Sequence, residues 1–177
     1  MIQDHDKGRL FCENLLNDAP FPDFPFKDPS WIGLVFNRDL HGISGLPYDV
    51  FEAILNSVKA LGEDRLTFVP AVTPLSGSDK EFPSAEVADW HEYIRFLKSM
   101  DFCPEYYLVS DRGSVLFWFD PDTVVIGGVA EVIQSAARCL GGMDGLMVRS
   151  ADAFGVSLGD SRSDVAVYIK NLGHAPG

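Results

Sequence analysis

The segment at 115–119, with the sequence VLFWF, constrains the fold of this 177-residue chain more than any other. Five residues is the length of a strand, and alternate side chains of a strand point to opposite faces of its sheet. The first, third and fifth residues would then lie on one face, and Leu116 and Trp118 on the other. Since a strand that is apolar on both faces must be covered on both, the sheet needs two layers, supplied by the chain's own helices or by a partner.

Two turn signals flank this strand and make it the middle of a three-stranded antiparallel meander at about 105–127. Asp111-Arg112-Gly113 is typical of a hairpin turn, with the glycine at the position that needs a positive φ. Asp120-Pro121-Asp122 consists of turn-forming residues and leads into the third β-rich run. The meander predicts a sheet that is antiparallel rather than parallel.

The other periodic stretches predict helices on both sides of this meander in the chain. Apolar spacing and end signals predict helices at 8–17, 47–61, 84–99, 129–140 and 160–172, and strands at 31–37 and 66–72. Pro70 limits the second strand to the edge of a sheet or to its own end. The 160–172 pattern also alternates like a strand, and we interpret it as a helix because both of its ends carry capping residues. Strands and helices in mixed order predict an α+β fold, an antiparallel sheet packed against several helices.

The helix at 84–99 is predicted from a capping residue and a buried stripe. Ser84 is a suitable N-cap, and acidic residues follow it near the positive end of the helix dipole. The apolar stripe consists of Val87, Trp90, Ile94 and Leu97.

The length predicts a single domain over residues 1–177. One segment inside it, APFPDFPFKDP at 19–29, holds four prolines and three phenylalanines and fits neither a helix nor a central strand. We interpret this segment, called the strap below, as an ordered arm whose phenylalanines cap the core. The alternative is a proline-rich recognition motif.

The charge excludes several kinds of partner. The chain has 26 acidic and 14 basic residues and a net charge of −12. Nucleic acid and anionic membrane surfaces both require a basic surface, so neither is expected as a partner, whereas a basic protein is. The first residues carry acids and no apolar run, and no stretch of about 18 apolar residues follows, which predicts a cytoplasmic protein.

No metal or cofactor site is expected. The three cysteines, Cys12, Cys103 and Cys139, form no CxxC pair and are predicted to be reduced, buried thiols. The four histidines have no spacing typical of zinc ligands.

No catalytic residue is predicted either, and the chain is not expected to be an enzyme. The serines in GVSLGDS lack the G-x-S-x-G spacing of a hydrolase nucleophile. Asp120 and Asp122 could serve a small hydrolase, but Asp and Pro are also ordinary turn formers.

Half of the negative charge is concentrated in one quarter of the chain. Residues 79–122 contain ten acids and four bases, a balance of −6, together with the aromatic meander. Acids beside aromatic residues are a composition found in interfaces, although a solubilising acidic face would have the same composition. The residues predicted to bind a partner are Glu86, Asp89, Glu92, Tyr106, Asp111, Trp118, Asp120 and Asp122.

Two stretches, LPYDVFEAIL and YYLVSDRGSVLFWFDPD, resemble parts of the immunity proteins of interbacterial toxin systems, such as contact-dependent or type VI systems. LPYDVFEAIL is similar to the helix opening of SUKH-type immunity domains, and YYLVSDRGSVLFWFDPD resembles an aromatic hairpin of such proteins. The resemblance implies a small acidic α+β protein of the cytoplasm that binds a cognate toxin domain and occludes its basic site. A type III secretion chaperone and the small hydrolase described above remain the alternatives.

Overall fold

The computed structural model describes residues 5–71, 85–100 and 105–174, and every structural statement below concerns these ranges. The helices are α1 (His5–Glu13), α2 (Tyr48–Ala60), α3 (Trp90–Ser99), α4 (Ala130–Cys139), α5 (Gly142–Ala153) and α6 (Asp164–Gly173). A 3₁₀ helix lies at Arg38–Ser44. The strands are β1 (Ile32–Asn37), β2 (Leu66–Pro70), β3 (Ala85–Val87), β4 (Tyr106–Ser110), β5 (Val115–Phe119) and β6 (Thr123–Gly128).

The six strands form one antiparallel sheet in the order β1-β6-β5-β4-β2-β3. The predicted α+β class and the predicted meander, β4-β5-β6, are both confirmed. Gly113 has a φ of 70° and donates its N–H to the carbonyl of Ser110 over 2.9 Å, which closes the first turn. Pro70 is the last residue of β2, so its missing N–H costs the sheet little.

The chain's own elements cover both faces of the sheet. On the first face, side chains of α2, α3 and α4 pack with Val115, Phe117 and Phe119 into one core cluster. On the second face, α1, the strap and α6 pack with Leu116 into another, while Trp118 stays half-buried. Helix α5 lies beside β1 and contributes side chains to both clusters. The two-layer cover expected for β5 is therefore built within the chain.

The side chain of Phe26 holds the strap on the second face, because its ring fills a hollow in the sheet above two glycines. Gly33 and Gly127 are directly opposite each other on β1 and β6. A Cβ atom at Gly127 would collide with the ring of Phe26, and one at Gly33 would approach it to 3.2 Å. Since Phe26 is 2% exposed and also packs against Trp31, the strap caps the core as predicted.

Asn17, which lies just before the strap, fixes the backbone of the strap. Its side-chain amide donates to the carbonyls of Phe24 and Phe26 at 3.1 and 3.0 Å, and its side-chain oxygen accepts the N–H of Ala19 at 2.9 Å. Buried carbonyls need such partners, and the prolines of the strap leave few backbone donors to supply them.

The helix predicted at 84–99 begins later than expected. Residues 85–87 form β3, which pairs with β2, and α3 starts only at Trp90. Asp89 is the N-cap, since its carboxylate accepts the N–H of Glu92 at 2.8 Å. The predicted buried stripe is therefore only partly right. Leu97 is buried as a residue of α3, but Val87 is buried as a residue of β3. Trp90 and Ile94 are half-buried. Ser84 lies outside the described residues.

The other helix predictions and the prediction for the cysteines have mixed outcomes. The helix predicted at 8–17 ends at Glu13, because residues 14–17 turn to pair with the strap. The helix predicted at 160–172 is confirmed as α6, with Ser163 as its N-cap. Helix α5 was not predicted. Cys12 is buried as expected, Cys139 is exposed because it falls on the outer side of α4, and Cys103 lies outside the described residues.

Replacing Phe26 with alanine tests how much the strap stabilises the fold. Because Phe26→Ala empties the hollow above Gly33 and Gly127, we expect the free energy of unfolding to fall by roughly 3–5 kcal/mol. The matched control is Phe21→Ala in the same strap, whose ring is 57% exposed and should cost about 1 kcal/mol or less. Urea denaturation measures both values, and equal losses would contradict the role given to Phe26.

Candidate partner-binding surface and cavity

The eight residues predicted to bind a partner do not form one surface. The 111–113 turn precedes β5 and the 120–122 turn follows it, so Asp111 and the pair Asp120 and Asp122 lie at opposite ends of the strand. Five residues of strand separate these ends by about 17 Å. We call them the DRG end and the DPD end of the sheet.

Tyr106 is a core residue, so the prediction that it belongs to an interface is wrong. Its side chain is fully buried on the first face and stacks on Phe119 with ring centroids 4.2 Å apart. The hydroxyl of Tyr93 donates to the carbonyl of Ser44 at 2.6 Å, so the Tyr106 hydroxyl, 2.9 Å away, donates to Tyr93. Burial, together with the neighbouring Tyr106, raises the pKa of Tyr93 well above its ordinary value, so Tyr93 stays neutral.

At the DRG end, most of the charge is engaged in local contacts. Glu86 on β3 forms an ion pair with Arg65 at 2.7 Å. The buried carboxylate of Glu63 accepts the N–H of Arg112 at 2.8 Å and so helps to hold the hairpin turn. Asp111 is exposed. Two of the three acids named at this end are therefore used in local contacts, and Asp111 remains exposed, as Asp122 does at the DPD end.

The acids of α3 have a structural role and remain accessible to solvent. Asp89 caps the helix, and Glu92 reaches back to accept the N–H of Ala88 at 2.9 Å, an arrangement similar to a capping box. The hydrogen bond from Glu92 N–H holds the pKa of Asp89 below its ordinary value. Asp89 is next to Trp90, whose ring lies 5.2 Å from that of Tyr48.

At the DPD end, the two aspartates differ in what they contact. The carboxylate of Asp120 accepts the N–H groups of Asp122 and Thr123 at 2.9 and 2.6 Å and the Thr123 hydroxyl at 2.8 Å. Asp122 is exposed and has no ion-pair partner among the described residues. Asp120 thus behaves as a turn-forming residue rather than as half of a carboxylate pair.

Three exposed apolar side chains, not found from the sequence, lie near this end. Leu40 and Ile43 on the 3₁₀ helix are 59% and 52% exposed, and Tyr48 at the start of α2 is 56% exposed. We call these three residues the apolar patch. The available signal was that two large apolar residues, Leu40 and Ile43, stand in a turn-rich stretch. Tyr48 gave no such signal, because it has helical spacing to the buried Phe51 and Leu55.

Arg38 connects the 3₁₀ helix that carries the patch to the DPD end. Its guanidinium donates to the carbonyl of Asp120 at 2.6 Å, and its backbone N–H donates to the carbonyl of Asp122 at 3.0 Å. The guanidinium also lies over the rings of Tyr106 and Phe119, 5.3 and 5.7 Å from their centroids. The apolar patch and the exposed Asp122 therefore share one end of the molecule.

A cavity of about 350 Å³ opens on the second face at the same end. Its floor is formed by Val35, Val125 and Trp118, which are directly opposite one another on β1, β6 and β5. Its walls come from the strap, from α6, from the end of α5 and from the DPD turn: Ala19, Phe21, Asp23, Pro25, Asp120, Thr123, Phe154, Val165 and Tyr168.

The lining of the cavity is apolar and aromatic, with acidic groups and no basic one. Four of the lining residues are aromatic: Phe21, Trp118, Phe154 and Tyr168. Burial, and next the nearby charge of Asp120, raise the pKa of the Tyr168 phenol above its ordinary value, so it remains a neutral hydrogen-bonding group. The ring of Phe21 contacts Tyr168 edge to face at 5.0 Å.

Within residues 5–71, 85–100 and 105–174, no three His, Cys, Asp or Glu side chains are grouped as metal ligands would be. None of the helices in the same ranges is long and apolar enough to cross a membrane. Comparison with protein-family models, with curated proteins and with solved structures gives no match to this chain.

An ion pair beside the apolar patch allows a pH test of the local geometry. Arg149 on α5 donates two hydrogen bonds to the carboxylate of Asp49 on α2, at 2.6 and 2.9 Å, and holds the pKa of Asp49 below its ordinary value. We expect Arg149→Gln to raise the pKa of Asp49 toward about 3.9, measured by carboxyl carbon NMR.

The same substitution should change stability in a pH-dependent way. A lowered pKa in the folded state stabilises above the unfolded-state pKa, and this contribution is lost as the pH falls through the folded-state pKa. The difference in unfolding free energy between the wild type and Arg149→Gln should therefore shrink below about pH 4. The exposed Arg162, which has no ion pair among the described residues, provides the control Arg162→Gln. An unchanged Asp49 pKa would contradict the pairing.

Proposed function

We propose that this chain is an acidic immunity-type protein that binds a basic toxin domain and neutralises it by occluding the toxin's basic site. The observation that carries the proposal is the apolar patch of Leu40, Ile43 and Tyr48 at the DPD end. Large apolar side chains grouped on a surface are typical of contact sites. The patch supplies the apolar centre that an interface needs.

Carboxylates adjoin this patch along the chain and give it an acidic rim. Asp39 precedes Leu40, and Asp89 is adjacent to the tryptophan that Tyr48 contacts, whereas Asp49, which follows Tyr48, is paired with Arg149. Together with the net charge of −12, this rim would attract a basic partner and speed its association. An apolar centre with an acidic rim matches the composition that the sequence indicated for an interface, although at other residues.

The hydrogen bonding of the DPD turn supports a binding role over the hydrolytic alternative. A pair of catalytic carboxylates needs oxygens that face the substrate. The oxygens of Asp120 instead accept three hydrogen bonds within their own turn. The proposal therefore uses Asp120 and Asp122 for their charge and position and assigns no chemistry to them.

The test is co-expression of this chain with the product of the neighbouring gene, followed by a growth assay for neutralisation and by co-purification. Ile43→Glu should weaken the complex at least tenfold, because it places a charge in the apolar centre of the interface. Leu10→Glu is the control, since Leu10 is 57% exposed and lies on α1, which covers the second face. Association rates that fall with added salt are expected as well.

Three outcomes would contradict this proposal. One is a neighbouring gene product that is neither toxic nor bound by this chain. Another is a complex weakened equally by Ile43→Glu and Leu10→Glu, which would indicate that the patch has no particular part in binding. The third is a bound partner that is a harmless secreted effector, which would assign the chain to the secretion chaperones.

A further inference from the structure

The cavity at the DPD end combines features that suit one kind of guest. A cation is attracted to the faces of aromatic rings, and the attraction is stronger when the cation is desolvated. Four aromatic residues line this cavity, and the two charged residues in its lining, Asp23 and Asp120, are both acidic. Its volume of about 350 Å³ lies in the range of ligand pockets.

We propose that this cavity binds a lysine or arginine side chain of a protein partner. The inference rests on the proposed function and deepens it, because it names the group of the basic partner that this chain holds. The aliphatic stem of the guest would pack on Val35, Val125 and Trp118, while its charged head lies near the carboxylates of Asp23 and Asp120.

Other guests fit the lining less well. An anion would be repelled by the two carboxylates, and no basic residue of the lining would compensate. A wholly apolar guest would displace water from around Asp23 and Asp120 and would not compensate their negative charge. A long side chain with an apolar stem and a cationic head satisfies both parts of the lining.

The cavity is held open by contacts that do not involve a guest. Phe26 and Asn17 anchor the strap below it, and the side-chain amide of Asn171 on α6 donates to the carbonyl of Pro22 at 3.1 Å. The strap and α6 are thus joined across the cavity wall, while Phe21, 57% exposed, lies at its outer side. A preformed site loses less entropy on binding, which favours a single side chain as an anchor.

The experiment titrates the full chain with three small probes and follows amide and indole signals by NMR. The probes are the N-acetyl N-methylamides of arginine, lysine and norleucine, of which norleucine has an apolar stem but no charge. We expect arginine or lysine to bind at least tenfold more tightly than norleucine and to shift the indole signal of Trp118. Equal affinities, or shifts that avoid Trp118, would overturn the proposal.

Variants of the DPD turn distinguish binding in the cavity from nonspecific attraction by the negative surface charge. Asp120→Asn should weaken binding of the arginine probe at least fivefold, and Asp23→Asn should act in the same direction. Asp122→Asn is the matched control, because Asp122 belongs to the same turn but does not line the cavity. Equal losses for Asp120→Asn and Asp122→Asn would indicate nonspecific attraction and would overturn the proposal.

A fourth probe distinguishes a protein side chain from a small organic cation. This probe is phenyltrimethylammonium. If it binds tenfold more tightly than both the arginine and the lysine probe, the cavity is a site for free organic cations, which would contradict the proposal. The result is independent of the neutralisation assay. Asp120→Asn could retain full neutralisation while its cavity fails to bind the arginine probe. That combination would overturn the cavity proposal and leave the proposed function standing.

Discussion

Burial of β5 on both of its faces is the constraint on which the rest of the structure depends. Phe117 and Phe119 on one face and Leu116 on the other are fully buried, so the sheet needs a complete layer on each side. Helices supply the first layer. The second layer is less regular, because part of it is the strap, and the strap reaches the sheet only where Gly33 and Gly127 leave room for the ring of Phe26.

This irregular second layer explains why a cavity forms where it does. The strap and α6 cover the sheet around Trp118 without filling the space above it, so Trp118 is half-buried and becomes part of the cavity floor. Arg38 then brings the 3₁₀ helix to the same end by binding carbonyls of the DPD turn. The cavity and the apolar patch are consequently neighbours of a single turn, although they belong to different layers of the fold.

Local signals in the sequence were sufficient for much of the fold but for little of the site. The meander, α2 and α6 follow from apolar spacing and end residues. The start of α3 did not follow, because Ser84 and Asp89 are both good caps and only the pairing of β3 with β2 selects Asp89. Tyr106 was wrongly assigned to an interface because it belongs to an acidic stretch of the sequence. That stretch gives no sign that the face of β4 bearing Tyr106 is the one covered by helices. The patch and the cavity depend on how distant segments pack, which no local pattern records.

The central claim is that the DPD end, rather than the DRG end, meets a basic partner. Hydrogen–deuterium exchange of this chain, free and in complex with the product of the neighbouring gene, tests it most directly. We expect slower exchange at 38–48 and at 118–123 in the complex, and unchanged exchange at 110–114. Protection confined to 110–114, with none at 38–48, would contradict it.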